Sequence, residues 1–387
     1  MQAQVFPFRL PPMVLAGVGA IERIGDEVHR LKGTRPLLVT DRGLRQAGVA
    51  DRVLDLLSGS DLKAEVFDRV EAEPSFENVD LCLAALREGG HDLVIGLGGG
   101  SAMDVAKATA MLATNGGDLR DYVGVDRVPG PSLPLIQIPT TAGTGAEVTF
   151  NAIFTDKRER LKKGIVSPHL LASCAIVDPA LTITTPPGVT AAAGMDALTH
   201  AIESYTAVKA TPHTDIYALE GIRLVAASLR TAYCNGRDIE ARRDVLLGSL
   251  FAGVSLANAG VGAVHALAYP LGGQFGVPHG LANALLLPYV MEANYLSSLD
   301  RFANVAEVMG APVGLLTRRE AAFRVVEETR CLGADVGIPA RLRDVEVPRE
   351  ALADMATAAA SISRLLDNNP RRLDRYCAST RPPGRQR

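Results

Sequence analysis

The first half of the chain alternates short runs of aliphatic and β-branched residues with longer segments whose apolar residues recur every three or four positions. The short runs predict buried strands at 36–40, 66–70, 92–95, 135–138 and 174–177. The longer segments, such as 79–90, predict amphipathic helices. Strands that alternate with helices at this spacing indicate a mostly parallel sheet with helices on both faces.

The pattern changes after the Thr-Thr-Pro-Pro segment at 184–187. Alanine and leucine become more frequent, and helical periodicity extends over the long segments 215–233 and 242–269. We therefore predict an α/β dinucleotide-binding domain over 1–181 and an all-α metal-binding domain over 182–370. The basic segment 371–387 contains Pro and Gly and has no apolar period, so we predict a disordered tail there.

Composition fits a globular protein of about two domains, since 387 residues exceed the size at which one core stops growing. The formal net charge of -3 gives no basis for binding nucleic acid or an anionic membrane. No apolar run approaches the ~20 residues of a membrane helix, and the N-terminus lacks signal-peptide features. Five scattered cysteines fit neither a disulfide framework nor a zinc motif. We expect a cytoplasmic protein.

A glycine-rich turn lies where the strand predicted at 92–95 passes into a helix. Gly98, Gly99, Gly100 and Ser101 would let the backbone approach a phosphate, which the free N–H groups of the helix start could bind. Gly96 and Gly98 match the first two positions of a dinucleotide fingerprint, but Ser101 stands at the third. The alternative is a tight turn that only packs a helix against a strand.

Three charged residues are also considered, one at the end of an earlier strand and two in the helix that follows the turn. Asp41 ends the strand predicted at 36–40, and ligands of parallel sheets bind at the carboxyl ends of strands. Its carboxylate would accept hydrogen bonds from a ribose 2′-hydroxyl and repel a 2′-phosphate, which favours NAD over NADP; alternatively it caps the next helix. Asp104 suits a helix N-terminus, whereas Lys107 is either a ligand contact or a surface lysine.

A second loop, PTTAGTGAEVT at 139–149, follows the strand predicted at 135–138. The hydroxyls of Thr140, Thr141 and Thr144 suit a phosphate, a ribose or a nicotinamide amide. The alternative is a loop that leads into a helix cap. Asn151, just beyond the loop, is a candidate for contact with a substrate or for proton relay.

Asp196, His200, His265 and His279 are candidate metal ligands. Asp196 and His200 are four residues apart on a predicted helix and so project from one face. We predict His265 near the end of a long helix that Pro270 terminates, and His279 at the start of the next one. A single buried histidine is more often a hydrogen-bonded core residue, but four suitable residues in one helical domain indicate a metal site. One carboxylate and three imidazoles suit iron(II), zinc or similar ions rather than calcium or magnesium.

These segments together resemble the iron-containing (group III) alcohol dehydrogenase family over roughly residues 8 to 370. The motifs occur in the expected order: GGGSAMDVAK at 98–107, PTTAGTGAEVT at 139–149, GMDALTHAIESY at 194–205 and HALAYPLGGQFGVPHG at 265–280. The resemblance implies an N-terminal dinucleotide domain and a C-terminal helical domain with the active site in the cleft between them.

The resemblance also implies roles for individual residues. The implied metal ligands are Asp196, His200, His265 and His279. The implied NAD(P)-binding residues are Gly98, Gly99, Gly100, Ser101, Thr140, Thr141 and Thr144. Asp41 stands where NAD-preferring members carry an aspartate. Lys163 matches a lysine near the cofactor, although the neighbouring Lys162 leaves that register open.

Three positions depart from the family pattern. Tyr269 stands four residues after His265, where many members have a histidine assigned to proton relay; related hydroxyacid–oxoacid transhydrogenases have tyrosine there. Leu256 replaces an aromatic residue that narrows the pocket in some relatives, which implies a roomier site. Glu73 replaces an asparagine that lies near the adenosine in some relatives.

The sequence therefore predicts a metal-dependent, NAD-linked dehydrogenase that interconverts an alcohol or hydroxy acid with an aldehyde or ketone. Iron(II) is the expected ion, and zinc or manganese fits the same ligands. Asn151 and Tyr269 are the candidates for substrate contact or proton relay. The alternatives are a hydroxyacid–oxoacid transhydrogenase and a lyase of the dehydroquinate-synthase type. The resemblance implies a homodimer or larger homo-oligomer with a small-molecule substrate.

Overall fold

The computed structural model describes residues 5–158 and 161–373. Its strands are β1 (Val14–Ala16), β2 (Pro36–Val39), β3 (Glu65–Phe67), β4 (Leu93–Gly98), β5 (Gly124–Val125), β6 (Leu135–Pro139), β7 (Asn151–Asp156), β8 (Leu161–Val166) and β9 (Cys174–Val177). Its α-helices before β9 are α1 (Ile24–Arg30), α2 (Arg42–Gln46), α3 (Val49–Gly59), α4 (Phe76–Gly89) and α5 (Gly100–Asn115). Those after β9 are α6 (Pro187–Thr206), α7 (Pro212–Cys234), α8 (Ile239–Ala259), α9 (Ala263–Phe275), α10 (His279–Asn294), α11 (Leu299–Val308), α12 (Arg318–Asp335), α13 (Leu352–Ala360) and α14 (Ser363–Leu366).

Six strands form one parallel sheet in the order β1-β9-β6-β4-β2-β3, which confirms the predicted α/β fold class. Both faces of the sheet are covered by helices, as expected for parallel strands with continuous apolar runs. In β2, Leu37 and Val39 join the cluster beneath α4 and α5, whereas Leu38 joins the cluster beneath α1 and α3. The strand predicted at 66–70 is shorter, and β4 extends beyond its predicted end to Gly98.

A second, three-stranded sheet in the order β5-β8-β7 was not predicted. Strands β7 and β8 form an antiparallel pair in which Phe154 lies opposite Lys163. Ala152 and Phe154 are fully buried in the cluster that includes residues of α5. The pair therefore lies against the helix that begins at the glycine-rich turn.

The described elements that follow β9 are all helical, and they share one large apolar core. Their longest members begin at residues with favourable caps: Thr211 accepts a hydrogen bond from the backbone of Thr214 at the start of α7, and Asp238 accepts one from Ala241 at the start of α8. The predicted division between 181 and 182 falls between β9 and α6, and the assignment of two domains stays a prediction.

The segment 242–269, predicted as one continuous helix, is two helices. Helix α8 ends at Ala259, and Gly260 has φ +76°, a conformation that a residue with a side chain rarely adopts. The Asn368 amide donates hydrogen bonds to the carbonyls of Ala259 and Val261 across this break. His265 consequently lies in the first turn of α9, and Pro270 lies inside that helix instead of terminating it.

Two further sequence predictions concern membrane-spanning helices and the C-terminal tail. Across residues 5–158 and 161–373, no one helix has the length and apolar character to cross a bilayer; α8 and α9 reach that threshold only together, with a 103° bend between them. At the start of the predicted tail, Arg371 donates to the Ala293 carbonyl, and Leu373 packs against the helical core. Residues 374–387 lie outside the described residues.

Lys107 is fully buried. Of the two alternatives that the sequence left open, a ligand contact or a surface lysine, the surface position is therefore wrong. Its Nζ lies 2.8 Å from the Asn151 carbonyl oxygen, 3.0 Å from Thr149 Oγ1 and 3.4 Å from Asp104 Oδ1. Asp104 in turn accepts a hydrogen bond of 2.9 Å from the backbone N–H of Ile153. A buried ion pair thus joins α5 to the start of β7.

We predict that Lys107→Met lowers the free energy of unfolding by about 3 kcal/mol or more, because Asp104 would lose its cation while remaining buried. Chemical denaturation monitored by circular dichroism measures this change. The matched control is Lys63→Met, an exposed lysine whose loss should change stability by about 0.5 kcal/mol at most. Equal stability of the two variants would contradict the structural role assigned to the buried pair.

Candidate metal and cofactor site

The four predicted metal ligands lie together. One ligand atom from each of Asp196, His200, His265 and His279 can be chosen so that all lie within 4.8 Å of one another. Asp196 Oδ1 is 3.8 Å from His200 Nε2 and 3.9 Å from His279 Nε2. The rings of His200 and His265 are stacked with their centroids 4.8 Å apart. Asp196, His200 and His265 are buried, and His279 is half-buried.

Three helices supply these side chains, and local features allow their close approach. Asp196 and His200 are one turn apart on α6, His265 is in the first turn of α9, and His279 begins α10. A Cβ atom on Gly280 would lie 2.7 Å from the Ala192 carbonyl oxygen, so only glycine lets the start of α10 approach α6 this closely. The residue after His279 therefore fixes the distance between two ligand-bearing helices.

Hydrogen bonds to the far side of two rings orient their ligand atoms. His265 Nδ1 lies 2.6 Å from Glu203 Oε2, and His200 Nδ1 lies 3.2 Å from the Gly143 carbonyl oxygen. In each bond the Nδ1–H group donates to the oxygen, which leaves the Nε2 lone pair directed at the shared centre. This is the protonation state that a metal ion requires of its imidazole ligands.

Sequence reasoning missed Glu203, which is buried beside the ligands and also accepts a hydrogen bond of 2.7 Å from the Val264 backbone N–H. The sequence contains a signal for Glu203, because Asp196, His200 and Glu203 follow the i, i+4, i+7 spacing of one helix face. Burial raises the pKa of Glu203 to about 7.

The electrostatics of the cluster suit a divalent cation. Burial lowers the pKa of His265 well below its ordinary value, and burial also lowers the pKa of His279. Burial alone would raise the pKa of Asp196, but the neighbouring imidazoles, His200 first, hold it below its usual range. A carboxylate beside imidazole ligands fits iron(II), zinc or manganese.

The glycine-rich turn and the threonine loop lie side by side. A Cβ on Gly99 would lie 3.3 Å from Thr141 Oγ1, and one on Gly100 would lie 2.9 Å from the Thr144 Cγ2. Gly98 has φ +150° and ends β4, so its backbone conformation favours glycine. These positions leave backbone N–H groups and threonine hydroxyls around one surface at the start of α5, as a pyrophosphate site needs.

Asp41 caps a helix, one of its two predicted alternatives, and the structure also places it beside the glycine-rich turn. Its side chain caps α2 by accepting a hydrogen bond of 3.0 Å from the Leu44 backbone N–H. Its Oδ2 lies 3.8 Å from where a Cβ on Gly98 would be, so the carboxylate also borders the glycine-rich turn.

Two other predicted cofactor residues are already engaged in hydrogen bonds. The Ser101 hydroxyl donates a 2.6 Å hydrogen bond to the Ala72 carbonyl. Thr140 is buried, and its carbonyl accepts a 3.0 Å hydrogen bond from Thr185 Oγ1 in the segment that leads to α6. Both residues therefore position the two loops as well as bordering the surface between them.

The structure distinguishes Lys162 from Lys163. Successive residues of a strand face opposite sides, and Lys163 lies opposite Phe154, whose side is buried against the cluster of α5. Lys162 lies on the other side, forms an ion pair with Glu73, and its charge contributes to lowering the pKa of His279. Burial lowers the pKa of Lys162 to about 8. Lys162 is therefore the better placed of the two to act near the metal ligands.

A cavity of about 250 Å³ separates the β7–β8 pair from α9. Its lining consists of Glu73, Thr155, Lys157, Leu161, Lys162, Gly272 and Gly273. The glycines belong to the helix that carries His265. This cavity is thus a gap between the two halves of the molecule.

The two predicted substrate or relay residues, Asn151 and Tyr269, belong to opposite halves of the molecule. Tyr269 lies one helical turn after His265 on α9 and packs with Leu256 and Leu365. Burial raises the pKa of the Tyr269 hydroxyl, which keeps it protonated. The backbone of Asn151 is held by Lys107, and its side chain is on the half-buried face of β7.

Comparison with known proteins gives matches over nearly the whole chain. The family model for iron-containing alcohol dehydrogenase matches residues 11–179, and the model for the C-terminal part of the Fe-containing alcohol dehydrogenase family matches residues 190–376. The long-chain-alcohol dehydrogenase 1 of Geobacillus thermodenitrificans is 44% identical over 363 residues, which are 93% of this chain and 91% of that protein.

Two solved structures show the same fold. A 1,3-propanediol oxidoreductase has a TM-score of 0.95 and 38% identity, over 97% of this chain and 98% of that one. The sulfoacetaldehyde reductase of Bifidobacterium kashiwanohense, solved in complex with NAD+, has a TM-score of 0.88 and 30% identity over 97% of both chains. This chain belongs to the iron-containing alcohol dehydrogenase family, whose members are oxidoreductases acting on CH–OH groups.

Proposed function

We propose that this protein catalyses the reversible, metal- and NAD-dependent oxidation of an alcohol to an aldehyde or ketone. The observation that carries the proposal is the cluster of Asp196, His200, His265 and His279, whose ligand atoms lie within 4.8 Å of one another beside the two cofactor-binding loops. A bound ion would polarise the hydroxyl or carbonyl oxygen, and the nicotinamide would accept or donate the hydride.

The residues of the chain supply binding and orientation. The backbone of the glycine-rich turn at Gly98–Gly100 and Ser101 would hold the pyrophosphate, and Thr140, Thr141 and Thr144 would hold the ribose and nicotinamide ends. Asp41 would accept hydrogen bonds from the adenosine ribose. Lys163 was the lysine predicted near the cofactor, and the orientation of β8 leads us to propose Lys162 for that role.

Tyr269 and Asn151 are the proposed substrate contacts. Tyr269 keeps its proton near neutral pH and lies one turn from His265, so it can donate a hydrogen bond to a substrate oxygen and pass a proton onward. The half-buried Asn151 amide would orient the substrate from the opposite half. The expected homo-oligomer and cytoplasmic location stay predictions.

An apolar cluster that includes residues of the His265 helix, here called the apolar wall, supports an aliphatic alcohol as the substrate. Tyr269, one helical turn after His265, packs there with Leu256, Val261, Ile362 and Leu365. Burial of a hydrocarbon chain against such a wall contributes about 0.8 kcal/mol per methylene group. The relative from Geobacillus thermodenitrificans is named for long-chain alcohols, which agrees with this substrate class.

A hydroxyacid–oxoacid transhydrogenase is the second candidate. The charge of Arg364 acts on both Tyr269 and His265, so a cation stands at the edge of the apolar wall where a substrate carboxylate could bind. The lyase alternative would need several basic side chains around a phosphorylated substrate, and the apolar wall does not favour it.

Mixing the metal-loaded enzyme with NAD and single substrates distinguishes the two candidates. We expect free NADH, measured by its absorbance, to accumulate with medium-length aliphatic alcohols and more slowly with hydroxy acids. The transhydrogenase would instead release no NADH, and would pass deuterium from a labelled hydroxy acid to an oxo acid. That second result would overturn the dehydrogenase proposal.

We predict that His265→Ala abolishes binding of the ion and lowers turnover by about 100-fold or more, since a bound ion supplies several kcal/mol of charge stabilisation. Metal content after gel filtration and the rate of NADH formation measure the two effects. The control is His29→Ala, an exposed histidine on α1 that should leave both quantities unchanged. Full metal content in His265→Ala would contradict the assigned ligand set.

We predict that Asp41→Ser raises the ratio of kcat/KM with NADP to kcat/KM with NAD by about tenfold or more. The Asp41 carboxylate would repel the 2′-phosphate of NADP, and removing a repulsion of ~1.4 kcal/mol changes affinity tenfold. Serine retains the ability to cap α2, so the substitution tests the charge separately from the helix cap. Steady-state kcat/KM values with both cofactors provide the measurement. An unchanged ratio in a variant of normal melting temperature would show that Asp41 only caps the helix.

A further inference from the structure

Asn283 reaches the centre of the ligand cluster, although nothing in its motif marked it as functional. It lies on α10 one turn after His279 and is completely buried. Its Nδ2 is 2.7 Å from Asp196 Oδ1, 3.1 Å from His265 Nε2 and 3.1 Å from His279 Nε2. Three of the four ligand atoms thus contact one amide nitrogen.

The chemistry of these three neighbours fixes the orientation of the amide. The Asp196 carboxylate only accepts hydrogen bonds, and His265 presents its Nε2 lone pair because its Nδ1 proton is donated to Glu203. The amide oxygen in this position would face acceptors only, whereas the NH2 group donates one hydrogen to Asp196 and the other to an imidazole. The cost of this choice is that Asn283 Oδ1 is buried without a hydrogen-bond partner.

The free energy lost by leaving Asn283 Oδ1 without a partner is explained if the hydrogen bonds of the NH2 group stabilise the cluster by more. Without a cation, the carboxylate and the imidazole lone pairs would face one another in a buried space. Because these groups repel one another, the four side chains would move apart. One amide hydrogen bonds to Asp196 on α6, and the other is shared between His265 on α9 and His279 on α10. The amide therefore links the three helices in the binding arrangement. An ion that meets an assembled ligand set binds more tightly than one that must assemble it.

We propose that Asn283 is a positioning residue that keeps Asp196, His265 and His279 assembled for metal binding. The inference rests on the proposed function, since it assumes that these side chains hold an ion. It predicts that removal of the amide weakens metal binding. If the amide instead competed with the ion for the same lone pairs, its removal would strengthen metal binding.

The test measures the affinity of the full chain for Zn²⁺ by competition with a chromophoric chelator. We expect Asn283→Ala to weaken binding by about 10- to 100-fold, the usual effect of losing a group that orients metal ligands. The matched control is Asn294→Ala, a buried asparagine at the end of the same helix that pairs with Asn369. It should change the Zn²⁺ affinity less than about threefold even if the protein becomes less stable.

A second variant keeps the proposal testable if Asn283→Ala does not fold. In Asn283→Asp, a carboxylate of the same size would face Asp196 without a donor hydrogen, so the metal-free protein should melt at a lower temperature than the wild type. Equal or tighter Zn²⁺ binding by Asn283→Ala, or an unchanged melting temperature of metal-free Asn283→Asp, would overturn the inference. Failure of the wild type to bind Zn²⁺ would instead overturn the proposed function.

Discussion

The contact between the threonine loop and the helical part is the constraint on which the site depends. A Cβ on Gly145 would lie 2.4 Å from the Gly253 Cα of α8, and one on Gly143 would lie 3.0 Å from the Ala193 backbone of α6. The loop therefore fits between two helices only because it carries glycine at these positions. Since the Gly143 carbonyl also hydrogen-bonds to His200, the backbone of the threonine loop positions one of the candidate metal ligands.

The site gathers charged and polar groups that are expensive to bury. Asp196, Glu203 and Lys107 are almost completely inaccessible to solvent, and each is stable there only because it has hydrogen-bond or ionic partners. Lys107 and Asp104 connect the helix that follows the glycine-rich turn to β7. Glu203 and Asn283 connect α6 to the helices that carry His265 and His279. The glycine-rich turn and the candidate metal ligands are thus held by separate polar networks.

Much of the molecule could be predicted because its signals are local. Continuous apolar runs such as 174–177 indicated parallel strands. The ordered motifs placed the glycine-rich turn, the threonine loop and the four ligand candidates. The β7–β8 pair was missed because β8 contains two adjacent lysines and a glycine, which interrupt the apolar pattern of a strand. The break at Gly260 was missed because apolar periodicity continues through it, and only the positive φ and the Asn368 contacts reveal it.

The sequence by itself determined the fold class, the family and the residues able to bind a metal, since these depend on residue type, order and spacing. Only the tertiary structure decided that Lys107 is buried, that Lys162 rather than Lys163 faces the ligands, and that Glu203 and Asn283 contact them. Strand registers and helix approaches set those relations, and they join residues far apart in the chain. Local pattern carries no information about such distances, because they follow from how the helices and sheets pack.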